Sequence, residues 1–171
     1  WSYVEGAKLS PDESDERNSY KDIVLEHRLE KAIQRINPWI SEDNLRRVIS
    51  NLTRTQFSNL IEANQSIWNT ITQYTSIRQD VGKGNKDQTV KIIDFDNMEN
   101  NEFLCTNQFK VSGVNQNIIP DIILFVNGLP LAVIECKSPY ITNPMESGID
   151  QLERYANRRK PLDDEGAEKL F

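Results

Sequence analysis

The chain has two cysteines, one histidine and no apolar run long enough to span a bilayer. Two cysteines make no disulfide framework and fit a reduced, cytoplasmic protein. The single histidine, His27, is not taken as a metal ligand. Positive charge is also short: 20 Lys and Arg stand against 26 Asp and Glu, a net charge of −6. That balance argues against a free-standing, high-affinity DNA binder, because non-specific DNA affinity comes largely from Lys and Arg neutralising phosphates. No charged-then-apolar stretch opens the sequence. A nucleotide-binding Gly-x-x-x-x-Gly-Lys-[Ser/Thr] loop is missing too. Gly82-Lys-Gly-Asn-Lys86 has neither its spacing nor its hydroxyl and reads as a solvated turn between strands. Neither internal repeats nor low-complexity segments occur. What remains, 37% hydrophobic and 27% charged residues over 171 positions, suits one soluble globular domain with a real core.

Two apolar runs stand out, Ile118-Ile-Pro-Asp-Ile-Ile-Leu-Phe-Val126 and Leu129-Pro-Leu-Ala-Val-Ile-Glu-Cys-Lys137. Asn127-Gly128 joins them, and both residues tolerate the positive φ of a tight hairpin turn. Side chains alternate along a strand, so Asp121, Ile123 and Phe125 share one face, and Val133, Glu135 and Lys137 share one face of the return strand. Both strands are apolar on both sides, as in a sheet covered by helices, where an unpaired charge is costly. At a solvated strand end, Asp121 and Glu135 would simply pair with Lys137. Converging from neighbouring strands, they would form the hard-oxygen pocket that Mg²⁺ prefers, with Lys137 placed to hold or polarise an attacking water. A strict two-residue turn would set Asp121 opposite Ile134 and turn Glu135 to the other face. A three-residue loop or a bulge is therefore expected. Mutual repulsion of the two acids predicts that replacing either with its amide leaves stability unchanged or slightly higher.

Pro120-Asp121, a gap and Glu135-x-Lys137 resemble the signature of the PD-(D/E)xK nuclease superfamily. The longer string PDIILFVNGLPLAVIECKSP (120–139), preceded by IDFDNMENNEF (93–103) and NQF (107–109), resembles the N-terminal endonuclease domain of the restriction (R) subunit of type I restriction-modification enzymes. The similarity runs from YKDIVLEHRLEKAIQRINP (20–38) to Gln151-Leu-Glu-Arg-Tyr155, which matches a Gln-x-x-x-Tyr element behind the catalytic lysine. Cys136 stands where family members often have leucine. The resemblance implies a mixed α/β sheet flanked by helices and Mg²⁺-dependent cleavage of double-stranded DNA. Its implied partners are modification and specificity subunits, with ATP used only by a motor domain that this chain is too short to include. It also implies metal binding by Asp121 and Glu135, with the Cys136 carbonyl as third ligand, and assigns water activation to Lys137. Gln151 and Tyr155, one helical turn apart, would position the site or a phosphate. A first-helix glutamate is a further acid in many superfamily members; Glu26 is the best placed, ahead of Glu30 and Glu62. The rival readings are a non-catalytic docking module of a restriction complex and another nuclease of the same superfamily, such as a repair enzyme or resolvase.

Residues 1–18 are polar and lack an apolar period, which predicts a loosely held arm before an endonuclease domain at 19–171. Leu25, Leu29, Ala32, Ile33 and Ile36 recur at helical spacing over 19–36, with His27 nearly opposite that stripe. Ser41 is expected to cap a second helix, and a third, over 58–70, carries Trp68 on its apolar stripe and hence in the core. Strands are expected over 72–79, 90–95 and 103–111. Met145, Ile149, Leu152 and Ala156 mark the packing side of a last helix. Arg154, Arg158, Arg159 and Lys160 read either as a phosphate-positioning patch or as a solvated helix end.

Overall fold

The structure, a computed structural model, describes residues 1–53, 60–80, 82, 84–112 and 117–155. It is a mixed α/β protein with two compact units, one of Trp1–Leu25, Leu104–Phe125 and Pro130–Phe171, the other of Glu26–Phe103 and Val126–Leu129.

The first unit is built on a four-stranded sheet in the order β1 (Ser2–Glu5), β4 (Phe103–Asn107), β7 (Ile122–Val126) and β8 (Leu129–Ile134). β1 lies parallel to β4, with Ser2 against Leu104 and Glu5 against Asn107. The N–H of Gln108 bonds the Asp121 carbonyl at 3.1 Å, and that of Asn127 bonds the Glu102 carbonyl at 2.9 Å. These two bonds bracket β4 and β7 as an antiparallel pair. Leu9, Leu25, Leu104, Phe109, Val111, Ile118, Ile123, Phe125 and Tyr155 close the core, with Val133 packed against it. The short antiparallel pair β5 (Val111–Ser112) and β6 (Asn117–Ile118) extends this unit.

The first 18 residues are not an arm. They supply strand β1, the 3₁₀ turn Gly6–Leu9 and the buried Arg17. Arg17 donates from Nε to the Leu9 carbonyl at 2.8 Å and from Nη1 to the Lys110 carbonyl at 2.9 Å. Its guanidinium lies 3.9 Å from the Phe109 ring centroid. Main-chain acceptors and an aromatic face therefore hold a segment that has no apolar period.

In the second unit α1 (Glu26–Ile36) buries Leu29, Ala32 and Ile33, and α2 (Glu42–Thr53) buries Leu45 and Val48. α1 starts seven residues later than expected because Asp22 accepts the Asn18 and Ser19 N–H groups, each at 2.9 Å, and holds a turn there. Ser41 does cap α2, accepting the Asn44 N–H at 3.4 Å. α3 (Leu60–Thr72) leaves Trp68 63% exposed, so the expected core tryptophan is a surface residue. β2 (Thr75–Asp80) and β3 (Asn85–Val90) form a hairpin. Its turn is held by Asp80 Oδ1, which accepts the Gly82 and Gly84 N–H groups at 2.8 and 3.0 Å. The second strand thus ends at Val90, where one was expected to begin.

Past Val90 the chain folds around a carboxylate. Asp94 accepts the N–H groups of Asp96 and Asn97 and the amide of Asn100, at 3.1, 3.2 and 2.8 Å. Asn101 returns its amide to the Asp94 carbonyl at 2.8 Å and takes the Asp94 N–H at 2.9 Å. Asn127, fully buried, donates to Asn101 Oδ1 at 2.9 Å and to the Ile92 carbonyl at 2.8 Å, and accepts the Glu102 N–H at 2.7 Å. The string 93–103 is the polar seat of the Asn127-Gly128 turn. Both turn residues have positive φ, 53° and 82°, and the β7–β8 connection is a two-residue turn; of the two expected alternatives, a three-residue loop or a bulge, the loop does not form. Among the described residues no helix is long and apolar enough to cross a membrane.

Candidate active site

β8 leaves the ladder after Ile134, so Glu135-Cys136-Lys137 lies just past the strand and escapes the alternation that would have turned Glu135 away. α4 (Pro144–Tyr155) then brings Gln151 and Tyr155, one turn apart, to that segment. Four side chains close a ring. Lys137 Nζ donates to Glu135 Oε1 at 3.0 Å and to Gln151 Oε1. Gln151 Nε2 donates to the Tyr155 hydroxyl at 2.6 Å. That hydroxyl lies 3.2 Å from Glu135 Oε2 and 3.4 Å from the Ile119 carbonyl.

The ring is shielded: the Glu135 side chain is 3% exposed and that of Lys137 21%. Burial is what makes the geometry matter, since a carboxylate there needs a cation and donors to stay charged. Tyr155 sits in the hydrophobic core with only its hydroxyl in the ring. Desolvation raises its pKa above the ordinary 10.0; the Gln151 hydrogen bond opposes that rise and the Glu135 charge adds to it. Gly148 faces the Lys137 stem, where a Cβ would lie 3.7 Å from Lys137 Cγ.

Asp121 belongs to the same unit but not to the ring. Its Oδ2 accepts the Cys136 N–H at 2.7 Å and its Oδ1 the Gln108 amide at 3.2 Å. Asp121 therefore reaches the main chain between Glu135 and Lys137. Gln108 was not singled out from sequence; its place in the NQF string was the only signal.

The three candidates for a further acid lie in the other unit. Glu26 opens α1 and is exposed, Glu30 is 3.9 Å from the exposed His27, and Glu62 is exposed on α3. Of the basic stretch, Arg154 lies 5.8 Å from the Tyr155 ring centroid, while 158–160 fall outside the described residues.

Hard oxygen donors dominate the cluster. Asp121 and Glu135 each keep lone pairs beyond those already bonded, and a carboxylate pair completed by waters and phosphate is a donor set that suits Mg²⁺. No group of three or more His, Cys, Asp or Glu placed to hold a metal occurs among the described residues. Any divalent cation held here would rest on two carboxylates rather than in an all-protein cage.

A family model of the type I restriction enzyme R protein N terminus matches residues 1–171. The chain belongs to this family. Two curated relatives extend the likeness. The putative type I restriction enzyme MjaIXP endonuclease subunit of Methanocaldococcus jannaschii is 35% identical over 142 residues, 81% of this chain. The type I restriction enzyme HindI endonuclease subunit of Haemophilus influenzae is 30% identical over 170 residues, 98% of this chain. The matched regions span 14% and 16% of those subunits' own lengths. The chain thus spans only a small part of the length of the curated relatives it matches.

Proposed function

We propose that this R protein N-terminal region is the endonuclease module of a type I restriction enzyme, a PD-(D/E)xK nuclease that hydrolyses phosphodiester bonds of double-stranded DNA with Mg²⁺. The observation that carries the reading is the closed ring of Glu135, Lys137, Gln151 and Tyr155 next to Asp121, since the nuclease motif and the separate Gln-x-x-x-Tyr element meet in one place. Asp121 and Glu135, with the Cys136 carbonyl, would hold Mg²⁺, whose chemistry is to polarise the phosphate and lower the pKa of water. Lys137 carries three N–H donors, two of them spent on Glu135 and Gln151. The third can orient the attacking water, and its charge offsets that building on the phosphate. Tyr155 holds Glu135 from the core side and Gln151 holds Lys137, so neither charged group must reorganise before reaction.

DNA would reach this site through the longer protein, with modification and specificity subunits as partners and ATP consumed by a separate motor. A chain of net charge −6 then needs little DNA affinity of its own. One observation favours a docking role for the same region: Met145 and Ile149 on α4 are 78% and 51% exposed. The deciding experiment is plasmid cleavage by the complete enzyme carrying Lys137→Ala. Loss of cleavage with complex assembly intact supports the nuclease; unchanged cleavage sinks it in favour of docking.

A further inference from the structure

Gln108 directly follows β4 with φ at 49°, in the left-handed region that residues with a Cβ seldom enter. Two features hold it there. Its N–H bonds the Asp121 carbonyl at 3.1 Å. The main chain of Asn107 and Gln108 also packs so tightly on Gly6 that a Cβ there would lie 2.2 Å from the Asn107 carbonyl oxygen. From this fixed backbone the exposed side-chain amide reaches Asp121 Oδ1 at 3.2 Å, while the Cys136 N–H takes Oδ2 at 2.7 Å.

Each oxygen of Asp121 thus receives one donor from a different strand connection, which fixes the plane of the carboxylate and leaves a lone pair on each oxygen unspent. Glycine would suit this φ better than glutamine, so the conformation alone does not account for the side chain. Its amide does. We propose that Gln108 is a positioning residue that orients Asp121 to receive a divalent cation. The inference rests on the endonuclease reading of Asp121 and Glu135. It follows the general behaviour of groups behind a metal ligand, whose loss weakens metal affinity by about 10- to 100-fold.

The test uses the full-length R protein, with Mg²⁺ alone as the probe in calorimetry without DNA or ATP, and plasmid cleavage by the assembled enzyme as a second readout. Gln108→Gly keeps the left-handed backbone and deletes the amide; Gln108→Met keeps the side-chain length without its donor and serves if the glycine variant misfolds. The expected result is Mg²⁺ affinity reduced about tenfold, at the lower end of that range, with cleavage slowed at limiting Mg²⁺ and recovered at high Mg²⁺. The thermal midpoint of Gln108→Gly should stay unchanged. Unaltered Mg²⁺ affinity overturns the proposal, whether cleavage or stability moves or not. Asp121→Asn separates the two ideas. If it abolishes Mg²⁺ binding while Gln108→Gly does not weaken it, only the Gln108 assignment fails; if Asp121→Asn binds Mg²⁺ normally, the metal reading of the site fails first.

Discussion

Glu135→Gln removes a negative charge from a side chain that is 3% exposed while keeping its shape. The carboxylate accepts from Lys137 at 3.0 Å and lies 3.2 Å from the Tyr155 hydroxyl, whereas an amide can accept only through its single oxygen. Its NH₂ would then face either the lysine ammonium or the tyrosine hydroxyl. Breaking a fully buried ion pair costs about 3–5 kcal/mol. Lys137 is 21% exposed and keeps its bond to Gln151, which reduces the expected loss to about 1–3 kcal/mol. Repulsion between Asp121 and Glu135 would predict the opposite sign. Around Glu135, however, the bonded neighbours are a cation and a hydroxyl, and both Asp121 oxygens are occupied by donors of their own.

Urea unfolding of Glu135→Gln and Asp121→Asn at neutral pH, side by side, measures the difference. Glu135→Gln should fall to a lower midpoint at an unchanged m-value. Asp121→Asn should lose less than about 1 kcal/mol, since the amide oxygen can still accept one of its two bonds. A Glu135→Gln protein as stable as its parent, or more so, would refute the ring as a stabilising ion-pair network and leave carboxylate repulsion as the stronger effect.

The raised pKa of Tyr155 favours its neutral form in the folded state, so its contribution is fully present below the ordinary value of 10.0 and lost as pH rises past it; Tyr155→Phe should flatten the alkaline stability profile there. Asp94 is held at about 2 against an ordinary 3.8, chiefly by the Asn100 amide and further by the Asn97 and Asp96 N–H groups and Lys91, with burial opposing. Its contribution is present above pH 3.8 and lost as pH falls toward 2, so Asp94→Asn should unfold with a shallower acid limb by circular dichroism. Gly148→Ala meets only ordinary contact at 3.7 Å from Lys137 Cγ and should raise stability by about 0.5–1 kcal/mol in thermal unfolding. Gly6→Ala would place a Cβ 2.2 Å from a main-chain oxygen and should cost about 1–3 kcal/mol by the same measurement.

Much of the site was legible because its signals are local. The Asn127-Gly128 turn, the acids at the ends of apolar runs and the four-residue spacing of Gln151 and Tyr155 each depend on a few neighbouring residues. The N-terminal strand was not legible, since a four-residue SYVE strand joins β4 across about 100 residues and Arg17, not an apolar stripe, secures the rest of the N-terminal segment. Asn127 is legible as a turn residue and Asp94 only as part of an expected strand and of the 93–103 string, yet both belong to a buried polar network, which period and propensity do not encode.

α4 shows why apolar period alone misleads about which face of a helix meets the site. Met145, Ile149 and Leu152 recur at helical spacing and were expected to pack inward, but they are 78%, 51% and 39% exposed. The helix is anchored instead by Tyr155, 2% exposed, and by Gln151, whose amide bridges Lys137 to the tyrosine hydroxyl. One buried aromatic ring supplies apolar burial comparable with a short aliphatic stripe, and its hydroxyl meets the Glu135 oxygen that Lys137 does not bond, which an aliphatic face could not do. The charge at Glu135 therefore selects the polar-tipped side of α4 and leaves its aliphatic stripe outward.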